Sequence, residues 1–288
     1  MKISRHLFLV MAFAFLPAYA QDDAQKIYDT ERAFEKMVAE RGINAAFIEY
    51  LSPVGVMFFP EPAVAREVYA KRPPSTATLT WNPIKIEVSA NGALAYSIGN
   101  SIYRANGKDD TNEIYGHYLS VWTRQPNGEY RAALDTGIHH PKPSAFKPDW
   151  KPGPSAPAET NPKNTFAGDS SVSFYRTAEE RGFGRAYKMY GAEDMYLMRP
   201  GIEPVIGNEK AADHIEGRRL FVRFAKRRSF VEAGDLAYVY STYTLFDKKG
   251  IEKEKGSFVQ VWKLRGGRWL IAADVFIPIP SPVAAAAP

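Results

Sequence analysis

Two aspartates are the residues of this chain best placed to move a proton. Asp135 and Asp274 each close a near-duplicate stretch, GHYLSVWTRQPNGEYRAALD from Gly116 and GSFVQVWKLRGGRWLIAAD from Gly256, and each sits in an otherwise apolar run. An ionised carboxylate there is costly unless it is paired or hydrogen-bonded. Two uses satisfy that condition: acid–base or ligand contact, and structural acceptance of backbone or tyrosine hydrogen bonds. Recurrence does not separate them, since a shared ancestor preserves either.

If the strands carrying these aspartates curve around a pocket, alternation sends one parity of side chains inside. In the first copy that parity is Leu94, Tyr96 and Ile98, then Tyr118, Ser120 and Trp122, then Ala133, Asp135 and Gly137. In the second it is Leu236, Tyr238, Tyr240, Phe258, Gln260, Trp262 and Asp274. The tryptophans read first as core, while a buried tyrosine hydroxyl needs a partner. Arg199, at the expected pocket mouth, either grips a carboxylate or phosphate bidentately or forms a salt bridge with Glu203 or Asp194. The second copy, with Tyr238, Tyr240 and Arg199 around Asp274, carries more polar equipment. It is the expected working site, with Asp135 as its structural counterpart.

Several chemistries are excluded. The 288 residues contain no cysteine, so there is no thiol nucleophile, thiolate metal site or disulfide. His117 and His214 stand alone in sequence, and the neighbours His139 and His140 point to opposite faces of a strand. No metal site and no cofactor are implied, and no HExxH, GxxxxGK or G-x-S-x-G pattern occurs.

The elements that must position these residues repeat. Gly42 and Gly182, Pro60 and Pro200, and Trp122 and Trp262 are each 140 residues apart. In the first copy a helix is expected over Asp22 to Arg41, stopped by Gly42, with Ile27, Phe34 and Val38 on an apolar stripe and Glu31 and Glu35 on a polar one. A second helix runs from Asn44 to Leu51, a buried strand from Val54 to Phe59, and a short helix falls within residues 61–70. Four strands follow, Thr78 to Ser89, Leu94 to Arg104, Glu113 to Arg124 and Tyr130 to Ile138, with Gly- and Asn-rich turns between them. The organisation expected is a secretory signal peptide at residues 1–20, a first domain at 21–141, a Pro-rich linker at 142–168, a second domain at 169–280 and a tail at 281–288. The leader reading rests on Lys2 and Arg5, an apolar run from Leu7 to Leu16, and Ala18-Tyr19-Ala20 before Gln21. Its apolar run is about half of what a spanning helix needs, which predicts a periplasmic or secreted protein without membrane insertion.

Helices followed by an antiparallel meander imply an α+β fold in which a curved sheet wraps around helices to make a cone. On the helix ends AERG and EERG, the strand ends FFP and MRP, and VW followed by a hairpin ending in LD or AD, the chain resembles the nuclear-transport-factor-2-like superfamily. The likeness is to its SnoaL-like and "domain of unknown function 4440" branches, and it covers both copies. The resemblance implies two cone-shaped domains and a small-molecule pocket, used by isomerases, dehydratases, cyclases and non-catalytic binders alike. Ketosteroid isomerases of this superfamily carry their catalytic aspartate just before the proline that ends the first strand, where this chain has Phe59 and Arg199. Their second acid corresponds to Ser120 and Gln260, and Tyr175 matches their helix tyrosine. Steroid isomerisation is therefore not expected.

The first copy has an excess of acidic residues and the second of basic ones, concentrated at Arg218, Arg219, Arg223, Lys226, Arg227 and Arg228. This contrast marks an anionic partner, attraction between the copies, within one chain or across a homodimer, or a solvated strand face. Nucleic acid is not expected of an exported chain lacking a recognition motif. The expected function is binding of a small-molecule ligand in one or both cones. The alternative is a cofactor-independent lyase, isomerase or cyclase with Asp135 or Asp274 as acid or base.

Overall fold

The computed structural model describes residues 19–152 and 165–280. Helix α1 spans Tyr19–Tyr50, with a break at Gly42, whose backbone (φ 81°, ψ 165°) is non-helical. The two expected helices are thus joined end to end, and the glycine turns the chain there because positive φ is cheap only without a Cβ. Strands β1 (Leu51–Phe58) and β2 (Pro62–Val64), helix α2 (Ala65–Lys71), and strands β3 (Thr78–Val88), β4 (Leu94–Arg104), β5 (Glu113–Arg124) and β6 (Tyr130–His140) complete the first unit. The sheet order is β2-β1-β6-β5-β4-β3, antiparallel through the meander, with β1 added parallel to β6. Its concave face wraps α1 around a core of Ile27, Phe34, Val38, Phe47, Trp81 and Trp122.

The second unit repeats the plan. Helices α3 (Ala167–Arg181) and α4 (Phe183–Tyr190) meet at Gly182 (φ 113°), then come β7 (Gly191–Met198), β8 (Val205–Ile206), α5 (Asn208–Gly217), β9 (Phe221–Phe224), β10 (Ser229–Ala233), β11 (Leu236–Phe246), β12 (Glu252–Arg265) and β13 (Arg268–Pro278). The long strand expected across the basic cluster is instead two short ones, β9 and β10, which pair with opposite ends of β11. The cluster is dispersed accordingly. Arg218 pairs with Glu254 at 3.1 Å, Arg223 lies 5.0 Å over Phe246 and Arg228 lies 4.3 Å over Tyr175.

The two sheets pack back to back. Leu94, Tyr96, Ile98, Leu119, Val121 and Leu134 from one meet Tyr196, Met198, Leu236, Tyr238, Val259, Val261 and Val275 from the other in a single apolar layer. Charges rim it. Lys85 Nζ reaches Asp194 at 2.6 Å, Arg265 pairs with both Glu87 and Asp194, and the backbone N–H of Ala90 donates to Asp235 at 2.7 Å. The two units thus meet through an apolar layer with an ionic border.

The expected linker divides. Its described part, residues 142–152, lies along the first unit: Trp150 N–H donates to Pro83 O at 2.7 Å, its ring packs on Tyr28, and Lys147 O accepts from Asn100. Residues 153–164, most of the proposed leader and the tail from 281 lie outside the described residues. Among the described residues no helix is long and apolar enough to cross a membrane.

Candidate functional site

A cavity of about 540 Å³ opens inside the first cone, between α1, α2 and the concave face of the meander. Register explains its lining. Ser97 on β4 stands opposite Ser120 on β5, which stands opposite Asp135 on β6, so these three side chains share the concave face. Tyr118 and Trp122 have the same parity as Ser120 and join them. Tyr96, one residue off, pairs with Val121 and faces the second unit. The parity expected for Leu94, Tyr96 and Ile98 is therefore inverted, and the same holds for Leu236, Tyr238 and Tyr240, which lie in the layer between the units. A strand reveals two faces by alternation but not which is concave, and here both faces are buried. Ala133 likewise packs against that layer.

Asp135 lines the cavity and accepts a hydrogen bond from Ser120 Oγ at 2.6 Å. Burial pushes its carboxyl up to about 7, with Ser120 opposing and the charge of Glu31 adding to the rise. Glu31 projects from α1 into the same space and is 1% exposed. It accepts from Trp81 Nε1 at 2.6 Å and from Ser97 Oγ, which in turn accepts from Trp122 Nε1 at 2.9 Å. Burial raises its pKa as well, against the hydrogen bonds of Ser97 and Trp81. The Tyr118 hydroxyl, also buried and cavity-lining, interacts with the Glu31 carboxyl but makes no hydrogen bond of ordinary geometry. Apolar walls come from Phe34, Phe47, Met57, Tyr69, Leu79 and Trp81, and Ile277 of the second unit closes part of the boundary.

Glu31 was assigned to the polar face of α1, yet it stands four residues after Ile27 and three before Phe34, on the apolar stripe itself. An acid at that spacing was the available signal. His117 is not isolated either: its Nδ1 lies 2.7 Å from His140 Nε2, and His140 Nδ1 lies 2.7 Å from Pro141 O. With His140 donating to that carbonyl, its Nε2 accepts the His117 proton, and burial lowers the His117 pKa to about 3. No group of three or more potential metal ligands occurs among the described residues.

The second cone is packed solid. Phe276 stands where the first copy has Gly137, Tyr243 where it has Ser101, Phe258 where it has Tyr118 and Gln260 where it has Ser120. Tyr243 and Phe276 rings lie 3.9 Å apart, with Phe174, Phe183, Phe224, Phe258 and Trp262 around them. Arg199 points inward, not to a mouth, and pairs with neither Glu203 nor Asp194. Its Nη2 donates to Asp274 Oδ1 at 2.8 Å and to Tyr187 Oη at 2.8 Å, and its guanidinium lies 3.8 Å over Phe276. Gln260 Nε2 donates to Asp274 Oδ2 at 2.6 Å, and Tyr175 Oη donates to Gln260 Oε1 at 2.9 Å. Asp274 is wholly buried with both oxygens occupied by protein donors. The two aspartates are thus placed differently from the expectation: both Asp274 oxygens are taken by protein donors, and Asp135 faces open volume.

No protein-family model matches the chain, and neither does any curated protein. Similar solved structures include a ketosteroid isomerase-like protein from Erwinia carotovora atroseptica, 19% identical, where 42% of this chain covers all of that one (100%) at a TM-score of 0.36. An NTF2-like protein of unknown function from Pseudomonas putida KT2440 is 13% identical, with 41% of this chain covering 87% of it at 0.35. A putative calcium/calmodulin dependent protein kinase II association domain from Xanthomonas campestris is 20% identical, with 43% covering 94% at 0.34. Each of the three covers about two fifths of this chain.

Proposed function

We propose that this chain is an exported small-molecule binding protein whose site is the cavity of the first unit, the second unit serving as its solid support. The observation that carries this reading is the pairing of an open, largely apolar volume with a few convergent polar groups, the usual composition of a ligand pocket. The corresponding volume of the second unit is filled by Tyr243 and Phe276. A neutral aromatic probe, 1-naphthalenemethanol, should bind the mature chain and quench or shift tryptophan emission. Ser101→Tyr, which copies the second unit's filling residue into the first, should lower that affinity at least tenfold, while thermal unfolding shows the variant still folded. Equal binding by the filled variant would remove the cavity as the site.

A second reading, acid–base chemistry on the ligand, is favoured by one observation: Asp135, with its pKa pushed up to about 7, stands where a general acid or base works best near neutral pH. The placement outside the cytoplasm rests on Met1 to Ala20 and belongs to the same proposal. N-terminal sequencing of the protein from its host should begin at Gln21.

A further inference from the structure

The polar groups of the cavity have one sign. Its two carboxyls, the buried Glu31 and the half-buried Asp135, have only neutral donors as hydrogen-bond partners, Ser97 and Trp81 for the first and Ser120 for the second, with the charge of Arg32 acting on Glu31 from outside the lining. The histidines that border it, His117 and His139, are both pushed toward the neutral form by burial. Arg72, the arginine of the lining, is exposed and lies over the rings of Tyr69 and Phe59 at 4.7 and 4.8 Å. Beside the carboxyls, Tyr118 Oη is buried next to Glu31, with which it interacts without a hydrogen bond of ordinary geometry. An anion entering this space would meet two acids and no buried cation. An ammonium group would meet three oxygen acceptors for its three donors and aromatic faces suited to a cation.

We infer that the cavity takes an organic amine, its ammonium group held by Asp135, Glu31 and Tyr118 and its hydrocarbon against Phe34, Phe47 and Trp81. This rests on the reading of the cavity as the ligand site. The buried charge of the ligand is then compensated by opposite charge, which is the condition for burying it at all.

Three probes of nearly one shape test it: 1-naphthalenemethylamine, 1-naphthalenemethanol and 1-naphthoate, titrated calorimetrically into the mature chain. The amine should bind at least tenfold more tightly than the alcohol, and the carboxylate more weakly than either. At pH 7 amine binding should release protons, because the ammonium draws Asp135 into its ionised form, so the observed heat should change with the ionisation enthalpy of the buffer. At pH 8.5 the release should shrink, Asp135 being already ionised. Asp135→Asn should remove the tenfold preference of the amine over the alcohol and reduce the buffer dependence. If the alcohol or carboxylate binds as well as the amine, or the preference survives Asp135→Asn, the inference is overturned while the cavity remains a ligand site. If none of the three binds, the cavity reading and the inference fail together.

Discussion

Asp135 and Asp274 occupy the same place in the repeat and differ in their surroundings by a handful of side chains. In the unfolded chain Asp135 titrates near 4, whereas in the fold burial pushes it up to about 7. Between those values the folded protein keeps a proton that the unfolded chain has lost. The stability linked to this group is therefore fully present below about pH 4 and declines as pH rises to about 7. Melting temperatures of wild type minus those of Asp135→Asn, which does not titrate, should fall across that interval, and a flat difference would contradict the shifted pKa. Asp274 should behave differently. Arg199→Met leaves a fully buried carboxylate uncompensated and should cost about 3–5 kcal/mol in urea unfolding. The double variant Arg199→Met/Asp274→Asn, with no buried charge left, should recover part of that loss. Sequence made both aspartates conspicuous as acids in apolar strands. It hid their difference, because the partner that neutralises Asp274 is an arginine 75 residues away and the residue that leaves Asp135 open is a glycine two positions on.

At the scale of elements, the helix–helix break, the strands of the meander and the repeat register were legible because each has a local cause: Gly42, alternation, and turn residues. Gly42→Ala makes the cause measurable. No atom lies within 4 Å of a Cβ built there, so the loss reports the backbone at φ +81° alone. About 1 kcal/mol is expected by chemical denaturation. What alternation left open was the direction of each face, and Tyr96, Tyr238 and Tyr240 went to the wrong side for that reason. Glu31 was missed for a related one. A lone acid on an apolar stripe reads as noise until the two strands opposite offer Trp81 and Ser97.

At the scale of the molecule, the layer between the sheets makes the two units one folding body. Fragments 21–152 and 165–280 produced together should copurify and elute at the size of the intact chain, because Leu94, Ile98 and Val121 meet Val259, Val261 and Val275 without any chain connection. Either fragment alone would expose that layer and should aggregate or dimerise. Recovery of two separate soluble monomers would refute the shared core. Charge asymmetry between the copies was visible in sequence, whereas the docking of Trp150 and Lys147 along the first unit was not, because a Pro-rich stretch shows no local pattern for it.

The covalent joining of the two copies has a consequence for how such a protein changes over generations. In a symmetric pair of identical chains every substitution is made twice, so Phe in place of Gly137 would close both pockets together. Here Gly137 and Phe276 are separate codons. One half is free to gather aromatic packing and a buried Arg199–Asp274 pair, and the other is free to keep a hollow. Duplication within one chain thus lets packing density and open volume be set separately in the two cones.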